Sequence, residues 1–253
     1  MPDFQHIAYH QNGPIAVIIF NRPAAMNALS PALVAEFRAA VEVVAADEEA
    51  KVLIVTGAGK AWSAGVDLKE LNKGIENGAF TGDQFLKDGQ VVVDLLQTMP
   101  KPTIAAVNGY CFTGALEILM VFDIVIAAEE AMIGDTHTKW GILPKWGMSQ
   151  RLSQLVGPQK ARELSFTAEP ISGKEAARIG LVNQTVPLAN LDDTVHEMVN
   201  KILKNSAQTI AGMKHLYLQG ELNTLKEGLQ TELAYNKPIN DRTAFLKNFK
   251  NNK

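Results

Sequence analysis

Short apolar runs rich in β-branched residues recur along the first three quarters of this chain, and helical patterns fall between them. Ile15–Phe20 (IAVIIF), Lys51–Thr56 (KVLIVT), Pro102–Val107 and Ile124–Ala128 each read as a strand, with Met132–Gly134 as a shorter one. Ser30 and Pro31 read as an N-cap and first helical position, followed by Leu33, Val34, Phe37, Val41 and Val44 at helical spacing. Gly82–Met99 reads as a helix stopped by Pro100. Ala61–Asp67 (AWSAGVD) reads as a glycine-punctuated loop, and Asn72–Asp83 as a lid-like segment or an ordinary surface loop. Strand alternating with helix is the pattern of an α/β chain. After Pro187 the strand-like runs stop. Leu188–Asn205, Gln208–Leu218, Leu222–Asn236 and Asp241–Phe249 read as helices whose apolar faces need the core, a neighbouring subunit or both. The predicted organisation is an α/β core over 1–187 and a helical region over 188–253.

With 253 residues, 47% of them hydrophobic, the chain has enough apolar surface for one large core. Its net charge of −3 gives no global attraction for nucleic acid. The single cysteine, Cys111, excludes an internal disulfide and reads as a small buried residue. No apolar run is long enough to span a bilayer, and the first residues lack a signal pattern. The expectation is a cytoplasmic enzyme with neither nucleic acid nor membrane as a partner.

Chemistry concentrates in Val107–Asp123, VNGYCFTGALEILMVFD. A polar loop ending in glycine meets a nearly all-apolar helix that carries one acid, Glu117, in its first turn. Desolvation is one way a carboxyl is brought into the range useful for proton transfer, so Glu117 is a candidate base. A buried carboxylate tied into a salt bridge has the same signature. Gly114 stands where a new helix leaves N–H groups unpaired. Ser63–Asp67 supplies a second small-residue turn, and two N–H donors aimed at one carbonyl would form an oxyanion hole. Tight turns alone would look no different. His137, within Gly134-Asp135-Thr136-His137-Thr138, reads as a loop histidine, either structural or a second proton-transfer group. Asp135 and His137 lack a third nearby metal ligand, so no metal is expected.

These residues resemble the crotonase (enoyl-CoA hydratase/isomerase) superfamily over essentially the whole chain. Asn21-Arg22-Pro23 with Asn27-Ala28-Leu29 resembles its N-terminal motif, and Ala61–Leu71 its first oxyanion and adenine-pocket loop. Asn108–Asp123 resembles the second oxyanion loop and catalytic helix. Gly141–Arg151, Gly157, Ala161 and Gly180-Leu181-Val182 follow in order. The resemblance implies a crotonase-like spiral of ββα units with a C-terminal α-helical trimerisation region. It implies an acyl-CoA thioester substrate, with coenzyme A as part of that substrate and no separate cofactor, and a homo-oligomer, trimer or hexamer.

By position, the implied oxyanion donors are Val66 and Gly114, the catalytic pair is Glu117 and His137, and Ala64, Gly65, Asp67, Leu68, Trp140 and Leu143 are substrate- or CoA-binding. The family's second glutamate falls on His137, and Pro144-Lys145-Trp146-Gly147-Met148 replaces a glycine-rich run. The leading expectation is hydration of a 2-enoyl-CoA. The alternatives are enoyl-CoA isomerisation, acyl-CoA decarboxylation or an inactive acyl-CoA-binding member. Trp140 and Trp146 either shape the acyl pocket or pack in the core, and pocket depth depends on Phe80, Phe85 and Leu86.

Overall fold

The computed structural model describes residues 4–78 and 82–251; Phe80 lies outside them. The strands are β1 (Ile7–Asn12), β2 (Ile15–Phe20), β3 (Val52–Gly57), β4 (Ala61–Ser63), β5 (Thr103–Val107), β6 (Tyr110–Phe112), β7 (Ile124–Ala128), β8 (Met132–Gly134), β9 (Ile171–Ser172) and β10 (Gln184–Val186). The helices of the first half are α1 (Pro31–Ala46), α2 (Leu68–Glu76), α3 (Gly82–Thr98), α4 (Gly114–Leu119) and α5 (His137–Trp140). Then come α6 (Met148–Val156), α7 (Pro158–Thr167), α8 (Gly173–Arg178), α9 (Leu191–Leu203), α10 (Ala207–Leu222), α11 (Leu225–Ala234) and α12 (Arg242–Asn251).

One sheet has the order β1-β2-β3-β5-β7-β10 and the other β4-β6-β8-β9. Apart from the antiparallel pairs β1–β2 and β8–β9, neighbouring strands are parallel. Each of β3, β5 and β7 is followed by a strand of the second sheet and then by helix. Successive units therefore stack rung on rung, and the chain winds as a spiral of ββα units. Parallel strands covered on both faces need continuous apolar runs; β5 is buried at every residue.

The Ser30 hydroxyl accepts the Leu33 N–H at 3.2 Å and starts α1 as its sequence predicts. Leu33, Val34, Phe37, Val41 and Val44 are all buried, each side chain contributing about 1.5–3 kcal/mol. Phe20 packs edge-on against Phe37 and Trp62, and Trp62 against Phe122, at centroid separations of 4.9–6.0 Å.

Two sequence expectations are corrected. Ala61–Asp67 is not all loop, because Ala61–Ser63 is β4, paired to β6. Asn72–Asp83 is not all loop either, and its residues 79–81 lie outside the described ones. Its start belongs to α2, whose N-terminus is capped by Asp67 accepting from Glu70, and its end opens α3. No strand follows β10 among the described residues. Leu191, Val195 and Val199 of α9 pack on the first sheet against Ile54, Ile104 and Ile126. The later helices leave Met213, Tyr217, Leu222, Leu225, Leu229 and Leu233 exposed.

Candidate active site

Two turns, one from each of two consecutive ββα units, meet at the C-terminal ends of β4 and β6. In the first, Gly65 adopts φ +89°, a conformation that disfavours any side chain. Its carbonyl accepts the Leu29 N–H at 2.8 Å, and Asp67 N–H donates to the Leu29 carbonyl at 3.1 Å. The intervening Val66 N–H consequently points away from Leu29. In the second turn Thr113, a non-glycine residue, sits at φ 53°, ψ −119°. Such backbone costs on the order of 1–3 kcal/mol and persists only when its surroundings hold it. Here the Thr113 N–H donates to Gly134 at 3.0 Å, and its buried hydroxyl meets that of Thr136 at 2.5 Å.

A Cβ built on Gly114 would lie 3.1 Å from Val66 Cγ2, and one on Gly65 would lie 2.6 Å from the Phe112 carbonyl. The two turns are therefore in contact. Neither the Val66 nor the Gly114 N–H has an acceptor among the described residues. Two adjacent unpaired donors are what binding a developing oxyanion requires.

Glu117 lies one turn into α4 and is 2% exposed. Its Oε1 accepts N–H bonds from Trp146 (2.7 Å) and Met148 (3.1 Å). Its Oε2 faces His137 Nε2 at 3.4 Å. Gly147, at φ +111°, aims both peptides at the carboxylate, and Arg151 holds the turn by donating to the Trp146 carbonyl and to Gln97, both at 2.8 Å.

His137 is not a loop residue. It opens α5, is buried, and its N–H donates to Asp135 Oδ1 at 3.2 Å. Its Nδ1–H donates to the same oxygen at 2.6 Å, while Ser165 donates to Asp135 Oδ2 at 2.5 Å. Burial alone would lower the imidazole pKa. Hydrogen bonds to Asp135 and Glu117 outweigh it and hold the value at about 9. Asp135 is likewise pushed up by burial but held below the usual carboxylate range by His137 and Ser165. The site thus sets an imidazole, with its charged form favoured, between two carboxyl groups. Asp135 points at His137 itself rather than at a shared metal position. Burial pushes the Cys111 thiol up and leaves it inert.

Ala64, Asp67, Leu68 and Trp140 line, with Val66, Thr113 and Ile142, a cavity of about 370 Å³ on the oxyanion side. Gly65 builds the turn beneath it. The Asp67 carboxylate is engaged by Arg22 at 3.1 Å and by the cap of α2. Leu143 lines a different cavity of about 380 Å³, together with Asp135, His137, Ile142, Met148 and Ser165. His137 and Met148 both touch Glu117, so the carboxyl stands one residue behind that wall, and Ile142 lines both cavities.

Sequence reasoning missed four partners: Asp135 and Ser165 as the holders of His137, and the Trp146 and Met148 N–H groups that clamp Glu117. Backbone donors 29 and 31 residues away leave no signature in spacing.

Comparison with known proteins identifies the chain's relatives. A family model described as Enoyl-CoA hydratase/isomerase matches residues 10–247. A short-chain-enoyl-CoA hydratase of Clostridium acetobutylicum is 37% identical over 234 residues, which is 92% of this chain and 87% of that protein. A crotonyl-CoA hydratase of Syntrophomonas wolfei is 36% identical over 231 residues, 91% of this chain and 85% of that protein. The crystal structure of an enoyl-CoA hydratase from Bacillus anthracis superposes with a TM-score of 0.88 at 31% identity, covering 98% of this chain and 97% of that one. With a family model over most of its length, relatives at 36–37% identity and a shared fold, the chain belongs to the enoyl-CoA hydratase/isomerase family.

Proposed function

We propose that this protein is a 2-enoyl-CoA hydratase, adding water reversibly across the double bond of an acyl-CoA thioester. The observation that carries the reading is the Glu117 carboxyl group, with one oxygen held by two peptide N–H groups and the other turned to the His137 imidazole. The thioester oxygen sits between the Val66 and Gly114 N–H groups, entering from the cavity lined by Ala64, Leu68 and Trp140. Ile142, on irregular backbone between the two cavities, is the side chain displaced when the acyl end reaches Glu117 and His137.

Glu117 Oε2 takes one proton from water as the water oxygen bonds to C3. The electron pair of the double bond moves onto C2, and the enolate oxygen is held by the two N–H groups. His137 Nε2 gives its proton to C2. Glu117 then returns its proton to His137 across the 3.4 Å gap, so the net change is H and OH added to the alkene. Coenzyme A enters as part of the substrate. Isomerisation moves one proton with one group and needs no such return, so the paired site favours hydration.

The test is Glu117→Gln assayed with crotonyl-CoA by loss of enoyl-thioester absorbance. A fall of about 10²–10⁴ in kcat with KM little changed is expected. A variant as active as the parent, or a parent protein that adds no water to any enoyl-CoA, would sink the proposal.

The assembly is proposed to be a homo-oligomer, a trimer or a pair of trimers. Its support is the apolar stripe of α10 and α11 left exposed in the single chain.

A further inference from the structure

We infer that the Thr136 hydroxyl is a positioning group for the oxyanion hole, holding Thr113 at positive φ so that the Gly114 N–H stays aimed into the site; this rests on the hydratase reading above. The Gly114 N–H belongs to the Thr113–Gly114 peptide, and the plane of that peptide turns with ψ of Thr113. At φ 53°, ψ −119°, Thr113 occupies backbone that a β-branched residue avoids. Relaxation to negative φ would rotate the peptide and carry the N–H out of the hole. A glycine would sit here unaided, whereas a threonine has to be held.

The restraint comes from the neighbouring strand end. β6 and β8 pair in parallel as far as Phe112 opposite Gly134. The Thr113 N–H then donates to the Gly134 carbonyl at 3.0 Å, which anchors the peptide before Thr113. The side chain supplies a second anchor: its Oγ1 lies 2.5 Å from Oγ1 of Thr136, and the two residues are 4% and 8% exposed. Turning φ negative about an anchored N–H swings the Thr113 Cβ away and breaks the hydroxyl contact. On another side, the Thr113 Cβ stands 3.2 Å from where a Cβ of Gly65 would be, so the first oxyanion turn packs on the same side chain.

Both hydroxyls are committed to this contact rather than to their own helices. Thr113 and Thr136 stand at the N-caps of α4 and α5, where a threonine oxygen commonly accepts an N–H of the first turn. Neither makes a side-chain cap bond. The two caps are instead joined to each other, which links the helix that carries Glu117 to the one that opens with His137.

The experiment measures kcat and KM with crotonyl-CoA, and calorimetric affinity for acetoacetyl-CoA, on the full-length protein and its variants. Acetoacetyl-CoA ionises to an enolate and so reports on the oxyanion hole without turnover. The variants are Thr136→Val, Thr136→Ala, Thr136→Ser, Thr113→Gly and the Thr113→Gly/Thr136→Val double variant, with circular dichroism confirming the fold of each. Thr136→Val and Thr136→Ala should lower kcat at least about fivefold with KM within about threefold, because a misaimed donor costs most where charge develops. Thr136→Ser, which keeps the hydroxyl, should lose less than either. In the Thr113→Gly background the turn holds itself, so adding Thr136→Val should change kcat less than about twofold. Affinity for acetoacetyl-CoA should follow the same order.

A loss of less than about fivefold in the folded Thr136→Val and Thr136→Ala variants overturns the inference, as does a Thr136→Ser variant no better than they are. So does an equal loss from Thr136→Val in both backgrounds, which would mean that the hydroxyl acts elsewhere than on Thr113. A parent protein that hydrates no enoyl-CoA, yet binds acetoacetyl-CoA with the expected order among the variants, would sink the hydratase reading and leave the role of Thr136 intact.

Discussion

At the scale of single residues, the site is governed by what Asp135 does to His137. A lone buried imidazole is neutral, since burial disfavours its charged form. With Asp135 at 2.6 Å on Nδ1 and Glu117 at 3.4 Å on Nε2, the charged form prevails up to about pH 9. The proton donor of the proposed reaction is therefore present at neutral pH, and kcat/KM should fall as pH rises through about 9. Asp135→Asn keeps an acceptor for Nδ1–H but removes the charge. Its alkaline limb should move to lower pH by about one unit or more, with acid-side activity largely kept; an unmoved limb would show that His137 does not set it. The same linkage acts on stability. The folded value of about 9 lies above the unfolded 6.5, so this contribution is complete below about pH 6.5 and lost as pH rises through about 9. Thermal melts of the parent protein should weaken across that window, and those of Asp135→Asn less so.

At the scale of elements, the turns between β4 and α2 and between β6 and α4 do the positioning. Each places one N–H in the site by taking up backbone that most residues avoid: Gly65 at φ +89° and Thr113 at φ 53°. The turns are also coupled, because Gly65 approaches the Phe112 carbonyl so closely that a Cβ would lie 2.6 Å from it. Gly65→Ala must shift one turn against the other and swing the Val66 N–H off its target. A loss of about 10²–10³ in kcat is expected, as for removal of one oxyanion donor. Circular-dichroism melts should show a much smaller change, and undiminished kcat in the folded variant would remove Val66 from the proposed hole.

At the scale of the whole molecule, the helical end is attached to the spiral but not satisfied by it. Lys214 of α10 donates to the Leu96 and Lys101 carbonyls and to Asp123, at 2.7–3.1 Å, which ties α10 to the core. Beyond that tie, Leu225, Leu229 and Leu233 of α11 fall on one stripe, and Leu233 is 90% exposed. An apolar stripe of this kind marks an interaction surface. Light scattering should find an oligomer for the parent protein and a monomer for the Leu229→Glu/Leu233→Glu double variant; a monomeric parent would refute the assembly.

What the sequence by itself determined was local. The Ser30 cap and heptad-like run of α1, the apolar strands of the parallel sheet, and Glu117 one turn past Gly114 all depend on neighbours within a few residues. Capping, periodicity and burial pattern are legible at that range. The α2 helix was not legible, because its sequence is mostly polar and its start depends on Asp67 as a cap. Only the tertiary structure decided which groups face Glu117, what keeps His137 charged and where the Trp146 indole lies. Those contacts join the α4 carboxyl to peptides near residue 147, Asp135 to Ser165, and Trp146 to Gly89. The electrostatic effect of one side chain on another depends on the distance and burial between them, and the winding of the spiral sets both.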